Sequence, residues 1–339
     1  MTRLVRAERL LRVVAICLLG VAAAACSQEE SAFVFRYANE QPEAAIRSQS
    51  MLFFEQELER RSGGRIEVEL YFGGSLGTER ELMDFVATGA LQATRGGFFA
   101  DANREFNLYT LPFLVDDWDQ ALRLVSSEFT AEVNRRARRN GFHIPATGIS
   151  QGFRAHTNSV RPIRRPEDLA GLKMRVPMQD VYVQTALAFG ANPQELPAAE
   201  IYQALQTGVV DGQDNPPSNI WDFKIHEVSR YLTITNYATG PDPFIVNLAW
   251  YETLPPELQQ IFDTVAREAI ALSDRLSREK EEEYIRLLAE GLETNYVTGA
   301  DLEPFREAIR PLYQRFVEKG DFSMGDIERA RKVARGEGE

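Results

Sequence analysis

The chain has 339 residues, and its 38 Lys and Arg against 50 Asp and Glu leave a net charge of −12. An acidic surface of this size argues against a nucleic-acid partner and against a polybasic membrane patch, although one pocket can be basic on an acidic body. The length exceeds what one small core organises, so a two-lobed body is the default.

Arg3, Arg6, Arg9 and Arg12 precede Val13 to Ala25, a thirteen-residue apolar run. That run is short of the roughly 20 residues of a membrane span and leads into small residues, so residues 1–25 read as an export signal. Ala23-Ala24-Ala25-Cys26 resembles a lipobox, with Cys26 as the lipidated residue and 26–32 as a tether. Ordinary cleavage near Ala25, leaving Cys26 an incidental thiol, is the competing reading. Cys17 departs with the signal, so no disulfide and no cysteine metal site can form. The remaining chain holds 34 basic and 49 acidic residues, a net −15.

Phe33 to Ala38 reads as a strand and Glu43 to Arg61 as a helix, with Met51, Phe54 and Leu58 at helical spacing. Arg65 to Tyr71 alternates strictly and predicts a second strand. Gly73 to Gly77 is a turn, after which Thr78 and Glu81 cap a helix. Ala90 to Gly96 predicts a third strand. This β-α-β-α order argues for a mostly parallel sheet covered by helices. Tyr109 to Val115 breaks at Pro112 before a helix from Asp117, and Ala131 to Asn140 predicts a basic, exposed helix ending at Gly141.

Phe142 to Gly148 and Gly152 to Thr157 are β-rich. Pro162 to Leu169 is a loop and Leu172 to Val176 a strand. Val181 to Phe189 and Ala198 to Thr207 predict helices, and Gly212 to Pro216 a turn. Tyr231 to Thr235 and Pro243 to Leu248 read as strands, with a connection between lobes around Tyr237 to Pro243. The longest helix starts behind Pro255-Pro256 and reaches about Leu292, with Phe262, Val265, Ala269, Leu272 and Leu276 on its apolar face. A strand over 294–298 and helices over 301–318 and 324–335 close the chain. No linker separates two lobes, so the chain must cross between them more than once, as two-lobed binding proteins with a stiff hinge do.

Arg175 carries the sharpest chemistry. It sits among Leu172, Met174 and Val176, and a buried arginine is costly unless an anion meets it. Its planar fork suits a ligand carboxylate; a structural ion pair with Asp168, Asp180 or another acid is the alternative. Arg154 lies in a similar short strand and offers a second cationic contact, or a solvated strand-face side chain. Asn215 can donate to a carboxylate while accepting from a hydroxyl, or simply shape its turn. Asn39 and Phe98 complete the expected ligand contacts. Arg95 reads as a surface residue, with a reach into the cleft as the alternative, and Phe99, Phe153, Phe244 and Trp250 read mainly as core, one or two of them as candidates to line the cleft.

Catalytic patterns are thin. His143, His156 and His226 lack metal-ligand spacing and obvious carboxylate partners. Gly73 to Gly77 lacks the lysine of a phosphate-binding loop, and no G-x-S-x-G elbow occurs. No enzyme, metal or cofactor is expected.

The blocks SGGRIEVELYFGGSLGTERE, LPFLV, QGFRAHTN, RRPEDLAGLKMRVP, AEIYQALQTGVVDGQDNP and LPPELQQIF, in this order over roughly 33–325, resemble the solute-binding subunits of tripartite ATP-independent periplasmic (TRAP) transporters of the DctP type. The resemblance implies a periplasmic-binding-protein-like α/β fold. Its two lobes would be 33–151 plus 241–280 and 152–240 plus 281–335, with a ligand cleft between them and a long hinge-spanning helix. It implies that Arg175 pairs with the carboxylate of a small organic acid and that Arg154 and Asn215 match further family contacts. It also implies that a small and a large membrane subunit receive the ligand, driven by an ion gradient. Two departures, Arg95-Gly96-Gly97-Phe98 where some sialic-acid binders have an acid and Ala198 where some have an aromatic, favour a small or medium carboxylate over a sugar acid. A periplasmic location follows, with a lipid anchor at Cys26. A ligand-binding sensory lipoprotein uncoupled from transport is the second functional reading, and a hydrolase or lyase a distant third.

Overall fold

The computed structural model describes residues 33–338 except Ser150; the expected signal at 1–25, the tether at 26–32 and Cys26 lie outside the described residues. In chain order it begins with β1 (Phe33–Ala38), α1 (Ile46–Ser62), β2 (Ile66–Tyr71), α2 (Glu79–Thr88), β3 (Ala93–Arg95) and α3 (Phe99–Ala102). Next come α4 (Trp118–Val125), α5 (Glu128–Arg136), β4 (Phe142–His143) and β5 (Thr147–Ile149). The middle contains β6 (Ala155–Asn158), β7 (Lys173–Val176), α6 (Asp180–Ala188), β8 (Asn192–Glu195), α7 (Ile201–Gln206), β9 (Gly212–Asn215) and α8 (Pro217–Asp222). The chain ends with β10 (Tyr231–Ile234), β11 (Pro241–Asn247), α9 (Leu248–Thr253), α10 (Pro256–Ala289), β12 (Glu293–Tyr296), α11 (Glu303–Lys319) and α12 (Met324–Arg335).

Two sheets organise these elements. The first runs β2-β1-β3-β11-β4, with β5 also on β11; the second runs β12-β10-β6-β9-β7-β8. In the first, β1 is parallel to β2 and β3 while β11 returns antiparallel. The chain therefore passes from one sheet to the other between β5 and β6, returns between β10 and β11, and crosses again along α10. This mixed α/β, two-lobed architecture is the one expected. The last helix, α12, packs on α4 and α5 beside the first sheet. No helix among the described residues is long and apolar enough to cross a membrane.

The first lobe is held by an aromatic cluster: Phe35, Tyr37, Phe54, Phe244 and Phe262 are fully buried, and Tyr37 meets Phe244 edge-on at 4.7 Å. Such pairs add about 0.5–1.5 kcal/mol beyond the area they bury. Ile201, Ile220, Leu232 and Leu288 form the corresponding core of the second lobe. The 34-residue α10 joins both cores. Its buried face, however, departs from the expected stripe. Beyond Ala269 it turns to Ser273, Asp274 and Ser277, leaving Leu272 and Leu276 half-buried. The helix is polar inside where it passes the crossing point, and a search for apolar residues alone misses that turn.

A second correction concerns Gly212 to Pro216. The segment is not a turn: its first four residues are β9, an inner strand between β6 and β7. Gly212 permits this, because a Cβ there would lie 2.4 Å from Thr157 O and 2.9 Å from Met174 Sδ. Its polar side chains are buried yet satisfied within the sheet: Gln213 Nε2 donates to Thr157 Oγ1 at 2.8 Å, and Asn215 Nδ2 to Gln213 Oε1 at 2.5 Å. An interior strand without apolar residues carries no hydrophobic signal.

The basic helix expected over 131–140 is α5 plus a 3-10 turn, capped by Gly141 in the left-handed region at φ +85°. Three of its four arginines are partnered: Arg135 with Glu128, Arg136 with Glu105 and Arg138 with Glu252.

Candidate ligand-binding site

Between the two sheets lies a cavity whose open space, its mouth included, is about 560 Å³. The first lobe contributes Glu40, Gln41, Arg47, Glu79, Gly97 and Phe99; the second contributes Arg154, Arg175, Gln179, Tyr182, Asn215 and Asn219. Glu40, Gln41, Gly97 and Gln179 follow the ends of strands, whereas Arg175 and Asn215 lie on the paired strands β7 and β9. Glu79 arrives differently, in the first turn of α2, whose start is fixed by the Thr78–Glu81 capping box.

Arg175 on β7 is 4% exposed, and its Nε donates to Leu196 O at 2.8 Å. Neither expected acid reaches it. Asp168 caps its own turn by accepting from the Arg164 and Arg165 amides, and Asp180 pairs with Lys319 at 2.7 Å. Among the described residues no carboxylate lies within ion-pair distance of Arg175. Burial, then the charge of Arg154, push its guanidinium down to about 10, with Glu79, Asp214 and Glu40 opposing. It remains a cation at neutral pH.

Arg154 is not the solvated strand-face residue considered above. It is buried, its Nε pairs with Asp214 Oδ2, and its Nη2 donates to Asp214 O at 2.5 Å. Its guanidinium also lies over the Tyr182 ring at 4.7 Å. Asp214 further accepts from Tyr237 Oη, so Arg154 lines the cavity as half of a neutralised pair. Behind it His156 stacks on Tyr237, and burial drives its imidazole down to about 4.

Asn215 lines the cavity, with its Oδ1 accepting from Asn219 Nδ2 at 3.4 Å. Asn39 and Phe98 lie elsewhere. Asn39 turns its Nδ2 to Ser48 Oγ at 3.1 Å, and Phe98 is half-buried beneath the Arg80 guanidinium at 4.6 Å. Its neighbour Phe99 lines the cavity instead.

Arg95 is a clear correction, being fully buried and paired with Asp242 at 2.5 Å. His143 likewise has a carboxylate neighbour, Asp263, at 2.8 Å. Among the described residues no group of His, Cys, Asp and Glu is placed to hold a metal.

Sequence reasoning missed Glu40, Gln41, Arg47, Glu79 and Gln179. The local acid thought absent after β3 comes from α2: Gly97, at φ +60°, leaves room for Glu79, which a Cβ there would meet at 2.8 Å. Gly96, at φ +77°, does the same for the Arg47 guanidinium at 2.7 Å. The Gly96-Gly97 pair was the available signal, since glycine tolerates both a left-handed backbone and close approach. Burial, then the Glu79 charge, push the Glu40 carboxyl up to about 7, and burial raises Glu79 too.

Polar contacts cross the cleft beside this cavity. Gln179 Nε2 donates to Gly97 O at 2.8 Å, Gln41 Nε2 to Asn219 Oδ1 at 3.3 Å, and the Ala199 amide to Glu40 Oε1 at 3.4 Å.

A family model described as bacterial extracellular solute-binding protein, family 7, matches residues 37–320. A solute-binding protein of Verminephrobacter eiseniae is 31% identical over 283 residues, 83% of each chain. The C4-dicarboxylate-binding periplasmic protein DctP of Rhodobacter capsulatus is 26% identical over 274 residues, 78% of this chain and 81% of that one. A TRAP periplasmic solute-binding protein from Ralstonia eutropha H16, with bound (S)-2-acetolactate, superposes with a TM-score of 0.84 at 27% identity, covering 89% of this chain and 99% of that chain.

Proposed function

The chain belongs to bacterial extracellular solute-binding protein family 7, and from that premise we propose that its cleft binds a small organic acid through a carboxylate–Arg175 contact and delivers it to the membrane subunits of a TRAP transporter. The family consists of solute-binding subunits, not enzymes. The observation that carries the carboxylate contact is the unpaired, buried cation of Arg175 on the cavity wall. An isolated buried charge is costly, and a charge-assisted hydrogen bond to it contributes about 1.5–3 kcal/mol net. The cleft-spanning contacts of Gln41, Gln179 and Glu40 belong to the closed form. A ligand seated among them stabilises closure by its differential affinity for closed over open, and closure is the signal a membrane partner can read.

The test is a thermal-shift and calorimetric screen of the mature protein against organic acids, beside Arg175→Met. One class of acid should raise the wild-type melting temperature by several degrees, since ligand at 100 times Kd adds about 2.7 kcal/mol. The variant should bind at least about tenfold more weakly while melting, without ligand, no lower than wild type, because an unpaired charge has been removed. A variant that melts well below wild type and retains affinity would make Arg175 a structural residue.

We also propose a periplasmic location with Cys26 as the lipid anchor. Cys26→Ser should then move the protein from the membrane to the soluble periplasmic fraction, and unchanged fractionation would remove the anchor.

A further inference from the structure

The charges on and behind the cleft walls match in number. Arg47 on α1, Arg154 before β6 and Arg175 on β7 line the cavity, and Arg95 at the end of β3 lies behind them. Against these stand Glu40 after β1, Glu79 in α2, Asp214 on β9 and Asp242 on β11. Two of the four carboxylates are tightly held. Asp214 takes Arg154 and Tyr237, and Asp242 takes Arg95 at 2.5 Å with Arg47 at 3.4 Å. Glu40 and Glu79 are held less well. Glu40 is 4% exposed and receives the Ala199 amide across the cleft at a long 3.4 Å, with the Glu79 backbone amide from its own lobe. The Glu79 carboxylate is its like-charged neighbour, and Arg175 is the cation that steadies it. Glu79 in turn faces Arg47, then Arg175. Tyr182 on α6 stays neutral above the Arg154 guanidinium. Asp274 on α10 lies behind Asp242 and takes the Ile149 amide instead.

Before a ligand enters, four cations and four anions cancel. A ligand carboxylate on Arg175 adds a fifth negative charge to a space that closure takes out of water, and an uncompensated buried charge is costly. The same carboxylate also screens Arg175, the one cation that favours an ionised Glu40. Like charges crowded into a desolvated site do not all stay ionised. One proton on the weakly held pair restores neutrality. The proton arrives with closure, because only the closed form places Ala199 of the second lobe against Glu40. In the open cleft Glu40 faces water and titrates near its ordinary 4.5, whereas burial, then the Glu79 charge, push it up to about 7 in the closed form.

We infer that the cleft captures its carboxylate together with one proton, held by the Glu40–Glu79 pair where Glu40 bridges to the second lobe. This rests on the reading that Arg175 takes the ligand carboxylate. Two carboxylates this close titrate as a unit, so the proton belongs to the pair. The sign follows from linkage. A group raised in the closed form favours closure at low pH, and that contribution is lost as pH rises through the closed-form value. Affinity therefore falls with rising pH. In the periplasmic location proposed above, capture strengthens in acid surroundings and release becomes easier in alkaline ones.

Calorimetry counts the proton directly. The tightest-binding acid of the screen above, with D-gluconate, pyruvate and L-malate in its panel, is titrated into the mature protein at pH 7 in PIPES and in Tris. These buffers differ in ionisation enthalpy, so the difference in apparent heat gives the protons taken up per ligand. Dissociation constants are then measured from pH 6 to 8.5, a range in which the acids are ionised and Arg175 keeps its charge. Glu40→Gln, Glu79→Gln and Arg175→Met are treated alike, each with a melting curve to confirm folding.

Wild type should take up about half to one proton per ligand, and its affinity should fall at least about tenfold between pH 6 and 8.5. Glu40→Gln should take up none and hold a flat affinity over that range. At pH 8.5 it should bind about fivefold or more tighter than wild type, because its amide stands in for the protonated carboxyl. Glu79→Gln should also take up no proton, and Arg175→Met should abolish binding. Wild-type binding with no proton uptake and no pH dependence, while Arg175→Met still abolishes it, overturns the inference and leaves the carboxylate reading standing. A proton still taken up in both glutamine variants lies on another group and overturns the inference as well. If no acid of the screen binds folded wild type, the carboxylate reading falls and takes the inference with it.

Discussion

Asp242→Asn is expected to destabilise the protein by about 3–5 kcal/mol, the loss seen when one partner of a buried ion pair is removed. Asp242 is 0% exposed on β11 and lies 2.5 Å from Arg95 Nη2 and 3.4 Å from Arg47 Nη2, both arginines being buried as well. Burial alone would raise this carboxyl, but Arg47 and Arg95 together hold it below its usual range. The change keeps shape and removes the charge, so the Arg95 guanidinium stays in the core without the carboxylate it pairs with. Ser50 Oγ, which accepts from Arg95 Nη1 at 2.6 Å, is neutral and does not replace it. In a protein of this size such a loss lowers the melting temperature by on the order of 10 °C.

The exposed pair Arg80–Asp84 is the control. Asp84→Asn should change stability by under about 1 kcal/mol, as surface pairs do. Arg95→Met combined with Asp242→Asn should lose less than the sum of the two changes, because the second removes part of the uncompensated charge left by the first. Thermal melts of the wild type, the three single variants and the double variant measure this. A fall of only two or three degrees in Asp242→Asn would mean that something other than Asp242 neutralises the arginines. Arg47 lines the cleft, so the same substitution should also weaken acid binding.

Much of the frame was legible because its signals are local. Phe33–Ala38 is a strand over the residues its short apolar run indicates. The capping box at Thr78 starts α2 where sequence placed it, and the proline pair at 255–256 starts α10. The oddity of Arg175 was legible too, because an arginine among Leu172, Met174 and Val176 has few inexpensive explanations, and the ion pairs offered by Asp168 and Asp180 do not form.

What stayed hidden depends on partners remote in sequence. Arg95 read as a surface residue because Asp242 lies 147 positions away. β9 read as a turn because Gln213, Asp214 and Asn215 are satisfied by Thr157, Arg154 and one another, so an interior strand needed no apolar residue. Glu40, Glu79 and Gln179 follow no periodicity; only the fold brings them to one cavity. Apolar spacing marks the cores, whereas the cleft is assembled from polar strand ends and helix starts.

Asp274→Asn should make the protein more stable than wild type at pH 8, by on the order of 4 kcal/mol, and the advantage should fade by pH 4. Asp274 is buried on α10 where the helix passes the β5–β6 crossing, and it accepts from the Ile149 amide at 2.8 Å. Burial raises its carboxyl to about 7; the Ile149 amide lowers it, Asp242 raises it and Arg95 lowers it. The Cβ that Gly148 lacks would lie 2.7 Å from Asp274 Oδ1, so the backbone is packed tightly against the carboxyl.

The folded state then holds a proton that the unfolded chain, titrating near 3.8, releases. Its contribution is fully present below about pH 4 and is lost as pH rises through 7. Asparagine still accepts from Ile149 and never ionises, so it escapes that loss. His156 runs the opposite way: its depressed imidazole makes stability fall as pH drops from about 6.5 towards 4. That term is common to both proteins and cancels in their difference. Denaturant unfolding of both at pH 4, 6 and 8 isolates the Asp274 term. A difference independent of pH would mean that Asp274 does not change charge in this range, and a wild type more stable at pH 8 would mean that Arg95 reaches it more strongly than Asp242 does. With the expected sign, an ionised Asp274 works against the packing at the inter-lobe crossing, and the native protein carries that cost at neutral and alkaline pH.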